Sequence, residues 1–300
     1  MQSPRVYIMA ILSVLVFSSA PVCVRLVTLN TTTQGIVRLG LASLGMSIFL
    51  LAKRRLTLAE FKSWDRRTWV TLSVVGLFFG LHWLLFFSSI KLASAAIGAI
   101  GFSTYGLHLL LLGWLFGYSR VGAIDLLGLA LACTGTYLLV PEFSLQNDHT
   151  LGLIVGILSG LAAAVLPLIH QRHAAINVHI RTWGQFTFAL PMFFLLWPYT
   201  EWTIIPSEIP LILWLGLGIA LMGHWMWVHV STVLSTTTVS ILSYLILPTS
   251  LMFSYLVLGD SERLSGRMLV GTGLVLIANA LVLWSQTKLR ALDAEIVETV

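Results

Sequence analysis

The sequence predicts an all-α polytopic membrane protein in which ten transmembrane helices form two inverted five-helix repeats around a central cavity. Three observations carry this prediction: the composition, the lengths of the apolar segments, and a histidine–tryptophan pair that occurs twice. Of the 300 residues, 57% are hydrophobic and only 10% are charged. A soluble domain carries about 25% charged residues, so this chain cannot cover a water-facing surface of ordinary size.

The apolar segments have the length that a membrane crossing requires. An apolar bilayer core about 30 Å thick needs about 20 helical residues, and lipid offers the backbone no other hydrogen-bond partner. The connections are short, so no soluble domain is inserted between the segments. The predicted spans are residues 6–27, 33–53, 69–90, 94–116, 122–140, 150–170, 180–200, 210–230, 236–258 and 264–286.

A histidine–tryptophan pair lies inside an apolar segment at residues 82–83 and again at 224–225. Alignment of residues 82–117 with 224–259 keeps the two pairs in register and also matches a serine, two leucines and a glycine. Histidine and tryptophan are uncommon in such segments. The repeated pair therefore indicates an internal duplication of the chain.

The duplication divides the chain into residues 1–145 and 146–287, followed by a polar tail at 288–300 that is expected to lack regular structure. Each half holds five predicted spans. Because five is odd, the second half must enter the membrane in the opposite orientation. Inverted repeats are typical of secondary transporters, whose substrate site lies near the midplane where the repeats meet.

The distribution of positive charge predicts the orientation of the chain. Most Lys and Arg residues fall in segments on one side of the predicted spans, while the loops at 141–149 and 201–209 contain none. Since cytoplasmic loops carry the excess of Lys and Arg, both termini are predicted to be cytoplasmic. The expected location is the plasma membrane, which in bacteria is the inner membrane.

Three longer motifs extend the comparison to a known family. They are "IVRLGLASL" at 36–44, "KLASAAIGAI" at 91–100 and "YLILPTSLMFSYLVLGDSERLS" at 244–265. With these motifs the chain resembles the EamA family of the drug/metabolite transporter superfamily. The resemblance implies ten spans in two halves, a central cavity that the fifth and tenth spans do not line, and export or exchange of small metabolites such as amino acids without nucleotide hydrolysis.

His82 and His224 are the first candidate site residues, because each lies well inside a predicted span. Burial of an unpaired polar ring costs a few kcal/mol, so each ring is expected to face the interior of the bundle. Two interpretations remain open. The imidazoles bind a polar group of a substrate or take up a proton, or they bond backbone carbonyls and fix the packing of helices.

Arg38 lies within the second predicted span and keeps its charge under all ordinary conditions. It therefore needs an anion, carbonyl oxygens or water. A guanidinium that faces a cavity could hold a substrate carboxylate through two hydrogen bonds. The alternatives are that it caps carbonyl groups at a kink or extends toward the membrane surface.

Aromatic residues on the same helical faces are expected to form the walls of the cavity, although each could equally fill the core. His108 is predicted to share the face of Tyr105. Gly106, where the resemblance leads us to expect proline, and Pro248, predicted to break a backbone hydrogen bond in mid-span, are candidate hinges. The predicted wall residues are Trp83, Phe86, Tyr105, Trp183, Trp227 and Tyr244.

The segment "HQRHAAINVH" at 170–179 contains three histidines, which invites a metal-site interpretation. No companion histidine motifs accompany it, and Arg172 and Arg181 flank it. We therefore expect a solvated basic loop, with Arg181 as a cytoplasmic structural residue.

These features predict a secondary transporter, not an enzyme, that moves a small metabolite such as an amino acid or an aromatic or amphipathic compound by alternating access. No nucleotide-binding loop or catalytic triad is present in the sequence, so a proton or substrate gradient would supply the energy. No cofactor, metal or nucleic acid is expected; the partners are the substrate, protons and the lipid bilayer, and a homodimer stays open. The alternative is a histidine-dependent intramembrane metalloenzyme.

Overall fold

The computed structural model describes residues 4–117, 122–139, 144–234, 238–239, 242–243, 245–262 and 265–299, and in these residues every regular element is a helix. The helices of the first half are α1 (Pro4–Ser18), α2 (Ala20–Leu26), α3 (Thr31–Ala52), α4 (Leu58–Ser63), α5 (Arg66–Leu92), α6 (Ala95–Phe102), α7 (Tyr105–Leu115) and α8 (Ala123–Leu139). Those of the second half are α9 (Asp148–Arg172), α10 (Val178–Thr187), α11 (Leu190–Leu195), α12 (Ile209–Leu213), a π-helix (Trp214–Gly223), α13 (His224–Val233), α14 (Ile246–Leu258) and α15 (Gly266–Thr299).

Six helical segments of the described chain are long and apolar enough to cross a membrane. The prediction of an all-α protein with membrane-spanning helices is confirmed at this level. Two shorter apolar helices lie at 123–135 and 266–282, near the predicted fifth and tenth spans. The six segments are Pro4–Leu26, Thr31–Ala52, Arg66–Leu92, Ala95–Leu115, Asp148–Arg172 and Pro206–Val233.

The predicted span at 180–200 is not one continuous helix. It consists of α10 and α11, which are separated at residues 188–189. Pro191 lies in the first turn of α11, where its missing N–H breaks no hydrogen bond. The break packs closely on α5, because a Cβ added at Gly76 would lie 2.4 Å from the Cβ of Phe188.

The polar tail is helical in the structure, which corrects the expectation that residues 288–300 lack regular structure. Helix α15 continues to Thr299. The physical reason is local: between Gly273 and Thr299 the sequence contains no glycine or proline, and it is rich in Leu and Ala, which favour helix.

The two halves of the chain pack against each other through several pairs of helices. Helix α5 contacts α9 and α10, and α1 contacts α13. Helix α3 contacts α10 and the π-helix, α6 contacts α9 and α14, and α8 contacts α15. The side chains of Phe79, Phe87, Phe186 and Phe193 are fully buried where α3, α5, α10 and α11 meet. A central group of helices from both halves therefore surrounds the region where the site lies.

We predict that the close approach of α6 to α9 depends on the absence of a side chain at Gly101. A Cβ there would lie 2.9 Å from the Cα of Gly156, and overpacking of this kind costs about 1–3 kcal/mol. Gly101→Ala should therefore lower the melting temperature. Gly40→Ala is the matched control, because its Cβ would meet no atom within 4 Å, and alanine favours helix over glycine by about 1 kcal/mol. Equal shifts for the two variants, measured by heating and size-exclusion chromatography, would contradict this account.

Candidate functional site

A narrow central cavity of about 70 Å³ lies between helices of both halves. Its walls come from α1, α2, α5, α6, α7, α9, α10, α13, α14 and one residue at 243, and most of its lining is apolar. Six of the predicted site residues line it: His82, Trp83, Phe86, Tyr105, His224 and Trp227. The repeated histidine–tryptophan helices therefore meet at one space.

The imidazole of His82 is held by Ser159 of α9. The Ser159 hydroxyl donates to the backbone carbonyl of His82 at 2.9 Å, and its oxygen lies 2.8 Å from His82 Nδ1. Because a serine hydroxyl has one hydrogen and it is already donated, Nδ1 must carry the hydrogen of this second bond. Nε2 of His82 is therefore the nitrogen left with a lone pair for a ligand.

His224 reaches the same tautomer by another route. Its Nδ1 lies 2.9 Å from the backbone carbonyl oxygen of Ile219, five residues earlier in the π-helix. A carbonyl oxygen only accepts, so Nδ1 donates and Nε2 again has the lone pair. The ring packs between Phe17 and Phe79, with ring centroids 4.6 and 4.8 Å away. One nitrogen of each ring thus makes an internal hydrogen bond, and the interpretation in which the imidazoles bind a substrate or a proton stays a prediction.

Arg38 lies behind the cavity wall and does not form part of it. Its guanidinium carbon is 3.4 Å from the ring centroid of Trp83, and 5.7 and 5.6 Å from the centroids of Phe79 and Phe87. Arg38 is 1% exposed, and none of its guanidinium nitrogens has a hydrogen-bond partner among the described residues. The aromatic faces supply cation–π attraction, but they do not replace the lost hydrogen bonds.

His108 and Trp183 do not reach the central cavity, which corrects their predicted placement. α6 ends at Phe102 and α7 begins at Tyr105, so the predicted face does not continue as one helix, and His108 lines a separate pocket with its Nε2 3.2 Å from Thr104 Oγ1. The indole of Trp183 donates to Ser47 at 2.9 Å and packs among other aromatic rings. Gln185, two residues further along α10 and thus on the opposite face, lines the cavity instead.

The other predicted residues have mixed outcomes. Tyr244 lies outside the described residues. Gly106 is buried in the first turn of α7, close to the break between α6 and α7. Pro248 is the third residue of α14 and is exposed. Proline is tolerated in the first turn of a helix, where the N–H groups have no intrahelical partner, and the hinge role of Pro248 stays a prediction.

His170 and Gln185 are cavity residues that the sequence interpretation missed. His170 was expected in a solvated loop, but it is 1% exposed and lines the cavity from the last turn of α9. The signal was present in the sequence: the α9 residues that line the cavity are Ala163, Leu166, Pro167 and His170, which follow helical spacing. Arg181 is also 1% exposed, not solvated.

The neighbouring histidine of the same segment differs from His170. His173 follows the end of α9 and is half-buried at the protein surface. Partial burial lowers the pKa of His173, and Arg67, Arg172 and Arg181 lower it further. Across the described part of the chain, no group of three or more His, Cys, Asp or Glu residues is arranged to hold a metal ion.

An all-helical chain with membrane-crossing segments and an internal cavity lined by aromatic and histidine rings is an integral membrane protein with a buried site. Residues 4–140 match the model of the EamA-like transporter family, so the resemblance seen in the sequence is confirmed over this part of the chain.

Comparison with curated proteins gave no match. Comparison with solved structures gave, among others, one described as "Crystal structure of protein". It is 16% identical, with a TM-score of 0.69 over 95% of this chain and 99% of that chain. At this identity the likeness shows a shared fold alone.

We predict that the two buried arginines respond in opposite ways to replacement by methionine. Arg181 donates to Ile176, His170 and Thr232, so Arg181→Met should cost about 2–4 kcal/mol of stability. Arg38→Met removes a buried charge without breaking a hydrogen bond, so the melting temperature should stay unchanged or rise. A loss at Arg38 equal to that at Arg181 would show that Arg38 has a strong partner.

Proposed function

We propose that the protein is a secondary transporter that exports or exchanges a small metabolite, such as an amino acid or an aromatic or amphipathic compound, by alternating access. The observation that carries this proposal is the cavity between the two halves, where His82 and His224 each keep one ring nitrogen for a ligand. A mostly apolar pocket with a few convergent polar groups is the usual form of a small-molecule site.

The pattern of helix contacts supports two related halves, residues 1–145 and 146–287. If α1, α3, α5, α6 and α8 correspond to α9, α10, α13, α14 and α15, several contacts between the halves have counterparts. The contact of α5 with α9 corresponds to that of α13 with α1, and the contact of α6 with α9 corresponds to that of α14 with α1. The pairs α3–α10, α6–α14 and α8–α15 correspond to themselves. A two-fold axis exchanges corresponding helices and therefore maps each contact onto its counterpart. Ten helices arranged as inverted repeats would have such an axis.

Two buried carboxylates connect the two halves, and we infer that they hold one side of the protein closed, as alternating access requires. Glu262 accepts from the backbone N–H groups of Ala95 and Ala96 at 3.0 and 2.8 Å, at the start of α6. Glu208 accepts from the N–H and hydroxyl of Thr28 at 2.9 and 3.0 Å. With both termini cytoplasmic in a plasma membrane, these contacts close the external side.

The ligand would meet polar groups at one part of the cavity and rings elsewhere. The Nε2 atoms of His82 and His224 accept hydrogen bonds, which suits an ammonium or hydroxyl group of a substrate. Phe86, Tyr105 and Trp227 provide apolar walls. Trp83 lines the cavity and covers the guanidinium of Arg38, so movement of its indole would bring that positive charge to the ligand.

We predict that loss of Nε2 alone abolishes most transport. Asparagine places an N–H near the position of histidine Nδ1, so His82→Asn can keep the bond to Ser159 while it removes the atom offered to the ligand. Uptake of radiolabelled phenylalanine into proteoliposomes in exchange for internal phenylalanine should fall about tenfold or more, with the melting temperature unchanged. His108→Asn is the matched control outside the cavity. If His82→Asn and wild type transport equally, the ring serves packing alone.

We further predict that a proton gradient drives accumulation, because the cavity imidazoles are the candidate proton carriers. An imposed inward gradient across the proteoliposome membrane should change the initial rate and the final level of phenylalanine uptake. His224→Asn should reduce this response more than it reduces simple exchange. Transport that ignores both pH and gradient in the wild type would remove the proton from the mechanism and leave exchange.

A further inference from the structure

Gln185 of α10 is a further polar residue of the cavity, and it was not among the predicted site residues. Gln185 is 1% exposed, and its side chain lines the cavity. Its Oε1 lies 3.0 Å from Nε2 of His170, which lines the same cavity from α9. Among the described residues, the Gln185 amide nitrogen has no hydrogen-bond partner.

The orientation of this pair is set by Arg181, which lies behind it. Arg181 Nη1 donates to the backbone carbonyl of His170 at 2.7 Å and lies 3.3 Å from His170 Nδ1. Further bonds to Thr232 at 3.1 Å and, through Nε, to Ile176 at 2.9 Å hold the guanidinium in place. The guanidinium therefore joins α9, α10 and α13 around His170.

Donor and acceptor rules then favour one arrangement of hydrogens along this chain of contacts. The two hydrogens of Arg181 Nη1 are used by the carbonyl of His170 and by Thr232, and a guanidinium cannot accept, so a hydrogen on His170 Nδ1 would face a positive group without an acceptor. The lone pair of Nδ1 therefore faces Arg181. A neutral imidazole has one hydrogen, which is therefore on Nε2. That hydrogen needs an acceptor, so the Gln185 atom facing it is the carbonyl oxygen and not the nitrogen. The amide NH₂ of Gln185 is left as a hydrogen-bond donor that has no partner among the described residues.

We propose that Gln185 is a binding subsite for a ligand carboxylate, with His170 and Arg181 as the residues that position it. This rests on the proposed function, since the ligand is the transported molecule. Both hydrogens of the NH₂ group are available to oxygen acceptors. The guanidinium behind His170 adds a fixed positive charge, which favours an anionic oxygen over a neutral one. The subsite complements His82 and His224, whose Nε2 atoms accept where Gln185 donates.

The test compares three ligands that share a 2-phenylethyl group: phenylalanine, phenethylamine, which lacks the carboxylate, and 3-phenylpropionate, which lacks the ammonium. Binding to purified protein in nanodiscs is measured by calorimetry for the wild type and for Gln185→Met. We expect the affinity for phenylalanine and 3-phenylpropionate to fall about tenfold or more. The affinity for phenethylamine should change less than about twofold.

A second variant inverts the chemistry at nearly constant size. In Gln185→Glu the carboxylate still accepts from His170 Nε2, but it offers the cavity an acceptor in place of a donor. This variant should lose 3-phenylpropionate binding and bind phenethylamine more tightly than the wild type. Gln171→Met is the matched control, because the Gln171 amide is already committed to the carbonyls of Ser231 and Leu234 at 3.1 and 3.3 Å and does not line the cavity.

The possible results distinguish failure of the Gln185 subsite from failure of the proposed transport function. Equal losses for all three ligands in Gln185→Met, or no loss for any, would overturn the subsite while wild-type binding and transport keep the proposed function. Wild-type protein that binds none of the three ligands would overturn the subsite together with the aromatic-ligand form of the proposed function. The structure leads us to expect that Gln185→Met loses affinity only for phenylalanine and 3-phenylpropionate, the two ligands with a carboxylate. In Gln185→Glu, phenethylamine should bind in preference to 3-phenylpropionate.

Discussion

A polar group buried in this protein can find a partner only in the protein itself or in a ligand, because the hydrocarbon of a bilayer offers none. The cavity shows how the chain meets this constraint and still keeps groups for a ligand. One ring nitrogen of His82 bonds to a serine, one ring nitrogen of His224 bonds to a backbone carbonyl, and the amide oxygen of Gln185 bonds to a histidine. In each case the other polar atom of the same group is left for a ligand. The internal bond holds the group in one orientation, so little entropy remains to be lost when a ligand binds.

The two halves solve similar problems with different side chains. Arg38 and Arg181 lie in helices α3 and α10, which pack on each other, and both arginines are 1% exposed. Arg181 donates hydrogen bonds through Nε and Nη1, whereas Arg38 is stacked against Trp83 and has no hydrogen-bond partner among the described residues. The paired histidines differ in their hydrogen-bond partners: the side chain of Ser159 bonds to His82, and the backbone carbonyl of Ile219 in the π-helix bonds to His224. A cavity with such unequal sides can orient an asymmetric small molecule.

The sequence predicts the parts of this molecule that depend on period and composition. Apolar length identifies the helices, and the repeated histidine–tryptophan pair identifies the helices that meet at the cavity. The errors arise where a helix breaks or turns. His108 was assigned to the cavity on helical spacing, but the break at 103–104 interrupts that face. Trp183 was assigned as an aromatic wall residue, but the opposite face of α10, with Gln185, lines the cavity. His170 was missed because Arg172 nearby suggested a solvated loop, and composition cannot show that the last turn of α9 is buried.

Trp83 lies between the cavity and the buried guanidinium of Arg38. One side of its indole contributes to the cavity wall, and its ring lies 3.4 Å from the guanidinium carbon of Arg38. The neighbouring ring of His224 is 5.4 Å away, centroid to centroid. A buried guanidinium without hydrogen bonds is held at a cost of several kcal/mol, so a conformation that bonds it has a large driving force. Because the indole stands between the charge and the cavity, the position of this one side chain links cavity occupancy to the energy of Arg38.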